Sequence, residues 1–261
     1  MTGVLRKIVA HKRDELEGRR RRVPLGELRR RAEAAGTARP FGAAVVGPPI
    51  RLIAEVKGAS PSAGTIRPEF DPAEIARGYE RAGAAAISVL TDSRYFHGAD
   101  GHLLAVRAAV RVPVLRKDFI VDAYQVYEAR ALGADAVLLI VAALAAPPLA
   151  ELQRLAHELG MAALIEVHTE AELDVALAAR APLVGINNRN LDTLETSLDT
   201  SRRLRPRIPP GVTVVAESGF EHRSEVEEME RLGVSAVLVG TALMRAPDPP
   251  ARLRELLGVA G

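Results

Sequence analysis

Short apolar runs recur along the chain between polar segments and predict the strands of a parallel β-sheet. Each run is continuous rather than alternating, which is typical of strands covered on both faces. A polar segment with helical periodicity follows each run within a few residues, so strands and helices alternate. The eight runs are Leu52–Val56, Ala86–Leu90, Pro113–Leu115, Ala136–Val141, Ala163–Val167, Leu183–Ile186, Val212–Ala216 and Ala236–Val239.

A glycine that ends a helix recurs before several of these strands. Gly83, Gly133 and Gly233 are each followed by a small residue and then an apolar run, and they lie 50 and then 100 residues apart. These distances fit repeating units of about 25 residues, each made of one strand and one returning helix. The pattern predicts an α/β fold, a (βα)₈ TIM barrel. A doubly wound open sheet is disfavoured, because no Gly-x-Gly-x-x-Gly turn follows the first strand and no segment remains for a second domain.

The starts of three predicted helices have capping sequences. Asp71-Pro72-Ala73-Glu74 combines an N-cap, a first-turn proline and a glutamate, while Asp122 with Gln125 and Thr169 with Glu172 have capping-box spacing. We expect the side chain at the third helical position to accept a hydrogen bond from the N-cap amide.

The segment before the first strand differs in character from the repeats. It contains a charged helix through about Arg22, a second short helix, and a connector that ends in Gly47-Pro48-Pro49. It has too few apolar residues for a core of its own. We therefore expect residues 1–47 to form an N-terminal helical extension packed on a catalytic barrel domain of residues 48–261.

Composition narrows the class of protein. A length of 261 residues is close to the roughly 250 of one barrel. No apolar stretch approaches the roughly 20 residues of a membrane span, and Met1–Arg22 lacks the apolar core of a secretory signal. We expect a cytoplasmic protein without a membrane partner. Cysteine is absent, which excludes disulfides, thiolate metal sites and a cysteine nucleophile.

The charge balance argues against a nucleic-acid partner. The formal net charge is only +2. Arg19–Arg22 and Arg29–Arg31 are basic runs, but glutamates interleave with them in a helical setting, so a solvated helix face or an anion-attracting rim is the favoured interpretation. These patterns do not fix the oligomeric state, and a monomer is the working expectation.

The ends of the predicted strands are unusually polar. In a barrel the reacting groups cluster where strands end and loops begin. The alternation of side chains along a strand places Glu55 and Lys57 on the same side. The polar strand ends are Glu55-Val56-Lys57, Arg116-Lys117-Asp118, Glu166, Asn187-Asn188-Arg189 and Glu217-Ser218-Gly219.

Lysine is scarce in this chain. There are 31 arginines but only four lysines, Lys7, Lys12, Lys57 and Lys117, and two of the four stand at strand ends. Unlike arginine, a lysine amine can be tuned to act as an acid or a base, which favours proton transfer at those two positions. The alternative is that both lysines form structural ion pairs with Glu55 and Glu217.

Small residues follow the last two strands. Gly219 and Gly240-Thr241 could let backbone amides approach an anion at a short helix N-terminus, which is where many barrels bind phosphate. This feature favours a phosphorylated ligand, whereas ordinary helix capping is the alternative.

Metal and serine-hydrolase chemistry are disfavoured. The histidines have no paired ligand spacing, and no Gly-x-Ser-x-Gly sequence occurs. His168 is the one histidine near a strand end, and we interpret it as a loop or capping residue. We expect no metal site.

Five strand-end motifs together closely resemble indole-3-glycerol-phosphate synthases. They occur in order and at ordinary spacing, and the resemblance extends from about Leu5 to the end of the chain. Five concordant motifs are far more specific than any one of them. The motifs are residues 53–62 (IAEVKGASPS), 115–120 (LRKDFI), 164–168 (LIEVH), 185–191 (GINNRNL) and 216–219 (AESG).

The resemblance implies a reaction. The expected activity is that of a carbon–carbon lyase of tryptophan biosynthesis, a decarboxylating ring-closing synthase without a cofactor. It would convert 1-(2-carboxyphenylamino)-1-deoxyribulose 5-phosphate into indole-3-glycerol phosphate, CO₂ and water. The only expected partner is this small phosphorylated substrate.

The resemblance also implies roles for individual residues. Lys117 would be the general acid of ring closure, Glu166 would handle protons during dehydration, and Lys57 would hold a substrate anion and could deliver a proton. The expected orienting residues are Glu55, Asn187 and Glu217, with Arg189 near the substrate carboxylate. The expected phosphate site is Ser60, Ser218, Gly219, Gly240 and Thr241, and the expected aromatic pocket is Pro61, Phe96, Phe119 and Leu191.

Two positions depart from the family pattern. Many relatives have basic residues where this chain has Gly58 and Ala63. The reduced positive charge bears on substrate affinity more than on chemistry. The family also keeps an N-terminal helix over the active site, and the segment from Leu5 to Arg22 is its expected equivalent.

Two other functions remain open at this point. A phosphoribosylanthranilate isomerase-like barrel would isomerise a sugar phosphate, but it prefers a cysteine and aspartate pair, and this chain has no cysteine. A catalytically silent phosphate-binding barrel is the second alternative, against which the lysines and glutamates at the strand ends argue.

Overall fold

Eight parallel strands close into a barrel, which confirms the predicted (βα)₈ architecture. The structure is a computed structural model, and it describes residues 3–60, 64–67, 70–191 and 193–259. Each strand pairs with the next one along the chain, and the last pairs with the first. The barrel strands are β1 (Arg51–Val56), β2 (Ala86–Leu90), β3 (Val114–Lys117), β4 (Ala136–Ile140), β5 (Ala162–Val167), β6 (Leu183–Asn187), β7 (Thr213–Glu217) and β8 (Ala236–Val239).

Helices alternate with the strands and cover the outside of the barrel. Short 3₁₀ turns occur at Val141–Ala143 and Arg205–Arg207, and the loop after β1 contains a two-residue antiparallel pair, Ala59–Ser60 with Gly64–Thr65. The helices are α1 (Gly3–Arg22), α2 (Leu25–Ala34), α3 (Phe41–Ala44), α4 (Pro72–Arg81), α5 (Ser93–Phe96), α6 (Asp100–Ala109), α7 (Ala123–Ala131), α8 (Ala146–Glu158), α9 (Glu170–Ala178), α10 (Asp199–Leu204), α11 (Arg223–Arg231), α12 (Thr241–Arg245) and α13 (Pro249–Leu257).

Side-chain alternation along the strands divides the core into two layers. On β1, Leu52, Ala54 and Val56 belong to the layer between the strands and the outer helices. Ile53 belongs to the layer inside the barrel. Because the period of a strand is two residues, Glu55 follows Ile53 on the inner side and reaches the carboxyl end of the barrel. The apolar runs in the sequence reflect burial on both faces.

Several strand ends differ by one or two residues from the prediction. Strand β3 begins one residue later than predicted and includes Arg116 and Lys117, while β6 and β7 include Asn187 and Glu217. Apolar runs under-predict these ends because the last inward-facing residues of the strands are polar. Strand β4 is shorter than predicted, since Val141 begins a 3₁₀ turn.

The predicted N-caps are present, but the predicted reciprocal bonds are wrong in detail. Asp71, Asp122 and Thr169 each accept a hydrogen bond from an amide in the first turn of α4, α7 and α9. The side chains of Gln125 and Glu172 instead accept from the amide that precedes the N-cap, at 2.8 and 2.7 Å. For Asp71 no bond from its own amide to Glu74 is found within the described residues. By these hydrogen bonds, the Gln125 and Glu172 side chains hold the last residue of the preceding loop against the first turn of the helix.

The segment before β1 contacts the barrel along its length. Leu5, Ile8 and Val9 of α1 pack in the inner layer. Helix α2 lies against α7, with Leu28 beside Tyr124 in a separate small cluster. The third helix, α3, was not predicted, and its Phe41 also joins the inner layer.

No helix in the described ranges has the length and apolar character needed to cross a membrane.

Candidate active site

A cavity of about 380 Å³ opens where the strands end. Its lining divides by chemistry. One part is charged or polar and comes from the ends of several strands and the loops after them, whereas the other part is apolar. The charged and amide-bearing lining residues are Glu55, Lys57, Lys117, Asp118, Glu166, Asn187, Arg189, Glu221 and Arg245.

Two lysines and two glutamates form a connected ionic cluster at the polar end. Lys57 Nζ lies 2.7 Å from Glu55 Oε1, and Lys117 Nζ lies 3.4 Å from Glu55 Oε2. Lys117 Nζ also donates to Glu217 Oε2 at 2.8 Å. The side chains of Glu55 and Lys57 lie on the same side of the chain, as predicted, although Lys57 follows the last residue of β1. The ion pairs that formed the alternative interpretation are therefore present, and all of their members except Glu217 line the cavity.

Burial and neighbouring charges shift the pKa values of Glu55 and Lys57 in opposite directions. Burial alone would raise the pKa of Glu55, but Lys57 and Lys117 outweigh burial and lower this pKa from 4.5 to about 2. For Lys57, burial is the largest effect and lowers the pKa below 10.5, because the attraction of Glu55 does not offset the lost solvation. A lowered pKa brings the ammonium of Lys57 closer to releasing its proton near neutral pH.

In the pair formed by Lys117 and Glu217, neighbouring charges determine the direction of the pKa shift of the lysine, whereas burial determines that of the glutamate. Burial would lower the pKa of Lys117, but nearby carboxylates outweigh burial and raise it above 10.5, so Lys117 stays protonated at neutral pH. Complete burial raises the pKa of Glu217 above 4.5 although Lys117 opposes that shift. The Oε1 atom of Glu217 is buried without a hydrogen-bond partner among the described residues. The negative charges of Glu166 and Glu55 add to the effect of burial and favour a proton on Glu217.

A glycine on the neighbouring strand makes room for Glu217. A Cβ atom at Gly185 of β6 would lie 2.4 Å from Glu217 Oε1 and 3.3 Å from a methyl carbon of Leu164. Gly240, after β8, has the same relation to the other carboxylate, because a Cβ there would lie 2.3 Å from Glu55 Oε1. Glycine at these two positions lets the carboxylates occupy the barrel mouth.

Glu166 lies near the end of β5 and is 2% exposed. It lies beside His168, whose Nε2 is 3.4 Å from Glu166 Oε1. His168 in turn contacts Glu172 at the start of α9, where ring Nδ1 is 3.1 Å from Glu172 Oε2. The strand-end carboxylate therefore has a titratable partner behind the cavity wall, since His168 itself is not among the lining residues.

The loops after β7 and β8 supply a cavity wall of small residues. Ser218, Gly219, Gly240 and Thr241 all line the cavity. Ser218 and Gly219 both have positive φ, 68° and 89°, a region that strongly favours glycine. A Cβ at Gly219 would lie 2.9 Å from Thr196 Cγ2. Such small residues allow backbone amides to approach a ligand, as an anion site requires.

The apolar part of the cavity combines strand interior, loops and α1. Phe96 and Phe119 lie with ring centroids 6.0 Å apart. Leu191 lines the cavity after β6, and Val4, Leu5 and Ile8 line it from α1. The surface is suited to a flat apolar group.

Most of the predicted site residues meet in this one cavity. Glu217 does not line it but contacts Lys117 directly, and Asn187 accepts a hydrogen bond from the amide of Arg189 at 3.0 Å. Pro61 lies outside the described residues, and only the backbone of Ser60 is described. Ala63 also lies outside them. Gly58 closes the β1 loop, where its carbonyl accepts from the amides of Ile66 and Arg67.

Some charged residues at or near the cavity were missed by the sequence analysis. Arg245 follows Thr241 by four residues in the short helix α12, and the position of that helix after β8 was the available signal. Lys12 is 2% exposed, and its Nζ lies 2.9 Å from Asp92 Oδ2 and 3.0 Å from Asp118 Oδ1. Lys12 is one of only four lysines, which was an available signal, but it lies in a helix far in sequence from any strand end.

Solved structures share this fold at low sequence identity. KGPDC from Streptococcus mutans matches with a TM-score of 0.61 and 13% identity, over 80% of this chain and 96% of that one. Thiamine phosphate pyrophosphorylase from Pyrococcus furiosus matches with a TM-score of 0.60 and 19% identity, over 80% and 94%. A chain of the tryptophan synthase α2β2 complex from the same organism gives 0.58 and 18%, over 80% and 98%. These likenesses support the barrel fold alone.

The closed barrel, with amines and carboxylates gathered where its strands end, defines a (βα)₈-barrel enzyme. The family model for indole-3-glycerol phosphate synthase matches residues 5–256. Indole-3-glycerol phosphate synthases from Aromatoleum aromaticum and an Azoarcus species are each 52% identical to this chain, over 99% of it and 100% of their own length. The chain belongs to the indole-3-glycerol phosphate synthase family, and it is a lyase of tryptophan biosynthesis.

Proposed function

We propose that this chain converts 1-(2-carboxyphenylamino)-1-deoxyribulose 5-phosphate into indole-3-glycerol phosphate, CO₂ and water, and that the residues of the cavity divide the work. The observation that supports this division is the joining of an amine and carboxylate cluster, an apolar wall and a small-residue wall in one cavity of about 380 Å³. A substrate with an aryl ring, a reacting ketone and a phosphate presents matching chemistry along its length.

Ring closure requires a proton donor at the ketone oxygen. Lys117 is suited to this step because its raised pKa keeps it protonated, and Glu217 fixes its ammonium at 2.8 Å. Attack of the aryl carbon generates an iminium that accepts the electrons released by decarboxylation. The substrate thus supplies its own electron sink, and the protein need only position it and donate a proton.

Dehydration needs a second proton donor and an acceptor. Glu166 is the proposed group for this step, and Lys57 has a lowered pKa that also suits proton delivery. Glu55 and Asn187 would orient the amines and the sugar hydroxyls. Separate groups for the two steps would let each proton transfer have its own geometry.

Binding of the two remote ends would organise the reacting centre. The proposed phosphate site is the wall of Ser218, Gly219, Gly240 and Thr241, together with Ser60. The proposed aryl pocket contains Phe96, Phe119 and Leu191, with Pro61 and Arg189 beside it. Interactions with the non-reacting ends hold the flexible sugar chain in the reactive arrangement.

The test is turnover of the carboxyphenylamino-deoxyribulose phosphate, followed by indole fluorescence. We expect the wild-type chain to form the product and Lys117→Ala to lower kcat by at least ~10²-fold, because a general acid is lost. Lys7→Ala is the matched control, since Lys7 is an exposed lysine on α1. Absence of turnover by folded wild-type protein would support the silent phosphate-binding barrel instead, and equal effects of the two substitutions would remove Lys117 from the acid role.

We also propose that residues 1–47 act as an extension of the catalytic barrel of residues 48–261 rather than as a separate unit. The packing of Leu5, Ile8 and Phe41 in the inner layer supports this. We further propose a cytoplasmic monomer without a nucleic-acid or membrane partner, which fits a net charge of only +2. Sedimentation equilibrium of the purified chain would give a mass near 27.9 kDa if the monomer proposal is correct.

A further inference from the structure

His168 stands between two carboxylates just behind the cavity wall. Glu166 lies near the end of β5, His168 follows it by two residues, and Glu172 lies in the first turn of α9. The backbone amide of His168 donates to Glu172 Oε2 at 2.7 Å, and ring Nδ1 lies 3.1 Å from that same oxygen. On the other edge of the ring, Nε2 lies 3.4 Å from Glu166 Oε1.

The contact with Glu172 defines which ring nitrogen carries hydrogen. An ionised carboxylate only accepts hydrogen bonds, so Nδ1 must be the donor in this contact. In the neutral ring Nε2 then has a bare lone pair that faces the carboxyl of Glu166. Two acceptors facing each other repel, whereas one proton between them converts repulsion into attraction.

The environment of Nε2 makes this repulsion costly. The atom is buried and has no hydrogen-bond partner among the described residues. Bulk water does not reach it, and a buried polar atom without a partner is strongly disfavoured. A proton shared with Glu166 removes this cost.

We propose that His168 is a positioning residue of the synthase reaction, which shares one proton with Glu166 and supplies it to that carboxyl for the loss of water. The inference rests on the proposed function and assigns His168 a part in the same site. From the sequence His168 was expected to be a loop or capping residue, but the hydrogen bond from its amide to Glu172 is only half of its environment.

The proton balance of the step closes within the pair and the substrate. His168 first passes the shared Nε2 proton to the Glu166 carboxylate and becomes neutral, with Nδ1–H still held by Glu172. As the carbon–oxygen bond breaks, Glu166 gives this proton to the departing hydroxyl, which leaves as water. The substrate loses one proton to become the aromatic indole, and this proton returns to the pair.

The surrounding charges favour a protonated ring. Burial lowers the pKa of His168, but Glu172, Glu166 and Glu217 outweigh burial and raise it above 6.5. Glu172 is the hydrogen-bond partner, and its own pKa is lowered despite burial because His168 faces it. The carboxylates come from β5, β7 and α9, so the ring is surrounded by negative charge on three elements.

The kinetic test compares His168→Asn with wild type across the pH range. The asparagine amide can replace Nδ1–H as donor to Glu172 but places nothing titratable beside Glu166. An isolated carboxyl ordinarily loses its proton about two pH units below an imidazole. We therefore expect kcat of the variant to fall at a pH at least about one unit lower than kcat of wild type, with KM within about twofold.

His168→Gln and His157→Asn are the controls. The His168→Gln side chain cannot titrate either and should shift the profile in the same direction, whereas His157 is exposed on α8 and its substitution should leave the profile unchanged. A uniform loss of kcat at every pH in both His168 variants, or no loss, would overturn the proposal and leave His168 a structural cap.

A spectroscopic test does not depend on turnover. In ¹⁵N-labelled wild-type protein we expect the ring of His168 to carry hydrogen on Nδ1 at every pH. Nε2 should carry hydrogen as well when the pH is below the pKa of the ring, which is raised above 6.5. A neutral ring with hydrogen on Nε2 and a bare Nδ1 would contradict the inference. If wild type shows the expected ring but forms no indole product, the proposed function fails while the shared proton stands.

Discussion

Arg189 and Arg245 bring two guanidinium groups to the lining of the cavity. Burial lowers the pKa of Arg189, Glu55 opposes this effect, and the nearby positive charge of Arg245 adds to it. The two cations therefore lie close enough to repel each other. A bound anion between or beside them would relieve that repulsion, and the proposed substrate has both a carboxylate and a phosphate.

Removal of Arg245 should weaken substrate binding without changing the chemical step. For Arg245→Gln we expect KM to rise about tenfold while kcat changes less than about twofold, since a charge-assisted contact contributes about 1.5–3 kcal/mol. Steady-state kinetics at fixed salt measure both constants. Arg111→Gln, an exposed arginine outside the cavity, is the control. An unchanged KM for Arg245→Gln would show that this arginine does not contact the substrate.

At the scale of elements, α1 is attached to the barrel by buried and partly buried ion pairs. Lys12 joins Asp92 after β2 to Asp118 after β3, and Arg19 lies 2.7 Å from Asp100 and 2.8 Å from Glu128. These contacts fix the apolar face of the helix over the cavity. Lys12 and Arg116 outweigh burial at Asp118 and lower its pKa from 3.8 to about 2.

Removal of the Lys12 charge should destabilise the protein strongly. Lys12→Met leaves two buried carboxylates without their shared cation, so we expect the free energy of unfolding to fall by about 3–5 kcal/mol. Urea unfolding followed by circular dichroism measures this loss. The exposed neighbour substitution Lys7→Met should change stability by less than about 0.5 kcal/mol. A loss below about 1 kcal/mol for Lys12→Met, well under the range for a broken buried pair, would mean that the two aspartates find other partners.

The strands of the barrel were predictable because each is covered on both faces. Ala86–Leu90 and Ala236–Val239 have the predicted bounds, since their inward and outward residues are mostly apolar. Where the inward residue is Lys117, Asn187 or Glu217, the apolar run stops before the strand does. Of the four strands whose carboxyl ends were predicted wrongly, three end at a residue of the site.

The site was predictable as far as it depends on strand ends. The barrel brings Lys57, Lys117 and Glu166 to one mouth whatever the details of packing. The contacts of Lys12 and His168 depend instead on how α1 and α9 lie against the strands, and no local pattern encodes that relation. Arg245 was missed for the same reason, because a five-residue helix gives too short a pattern to assign its faces.

At the scale of the whole molecule, the buried ionic groups make the free energy of unfolding depend on pH in the acidic range. The folded pKa values of Glu55 and Asp118 are both about 2, below their usual values of 4.5 and 3.8. At a pH between the folded and the usual pKa values, these two carboxyl groups bind more protons in the unfolded chain than in the folded one. The stabilisation is therefore complete above about pH 4.5 and is lost as pH falls toward 2.

We expect the free energy of unfolding to decrease by a few kcal/mol as pH falls from about 4.5 to about 2. Urea midpoints at several pH values in this window measure the slope. Glu55→Gln removes one of the two groups, so its stability should start lower but depend less on pH. An identical slope in the variant and in wild type would show that Glu55 does not contribute to acid unfolding.

Gly185 has a consequence for how this lineage can diverge. With a methyl group at that position, the carboxyl group of Glu217 could not remain where it is. The residue type at position 185 therefore indicates whether a related protein can keep Glu217 in place and perform the reaction that depends on it. Gene duplicates that keep the barrel but have exchanged this glycine should be sought among enzymes with a different chemistry, even where every neighbouring motif survives.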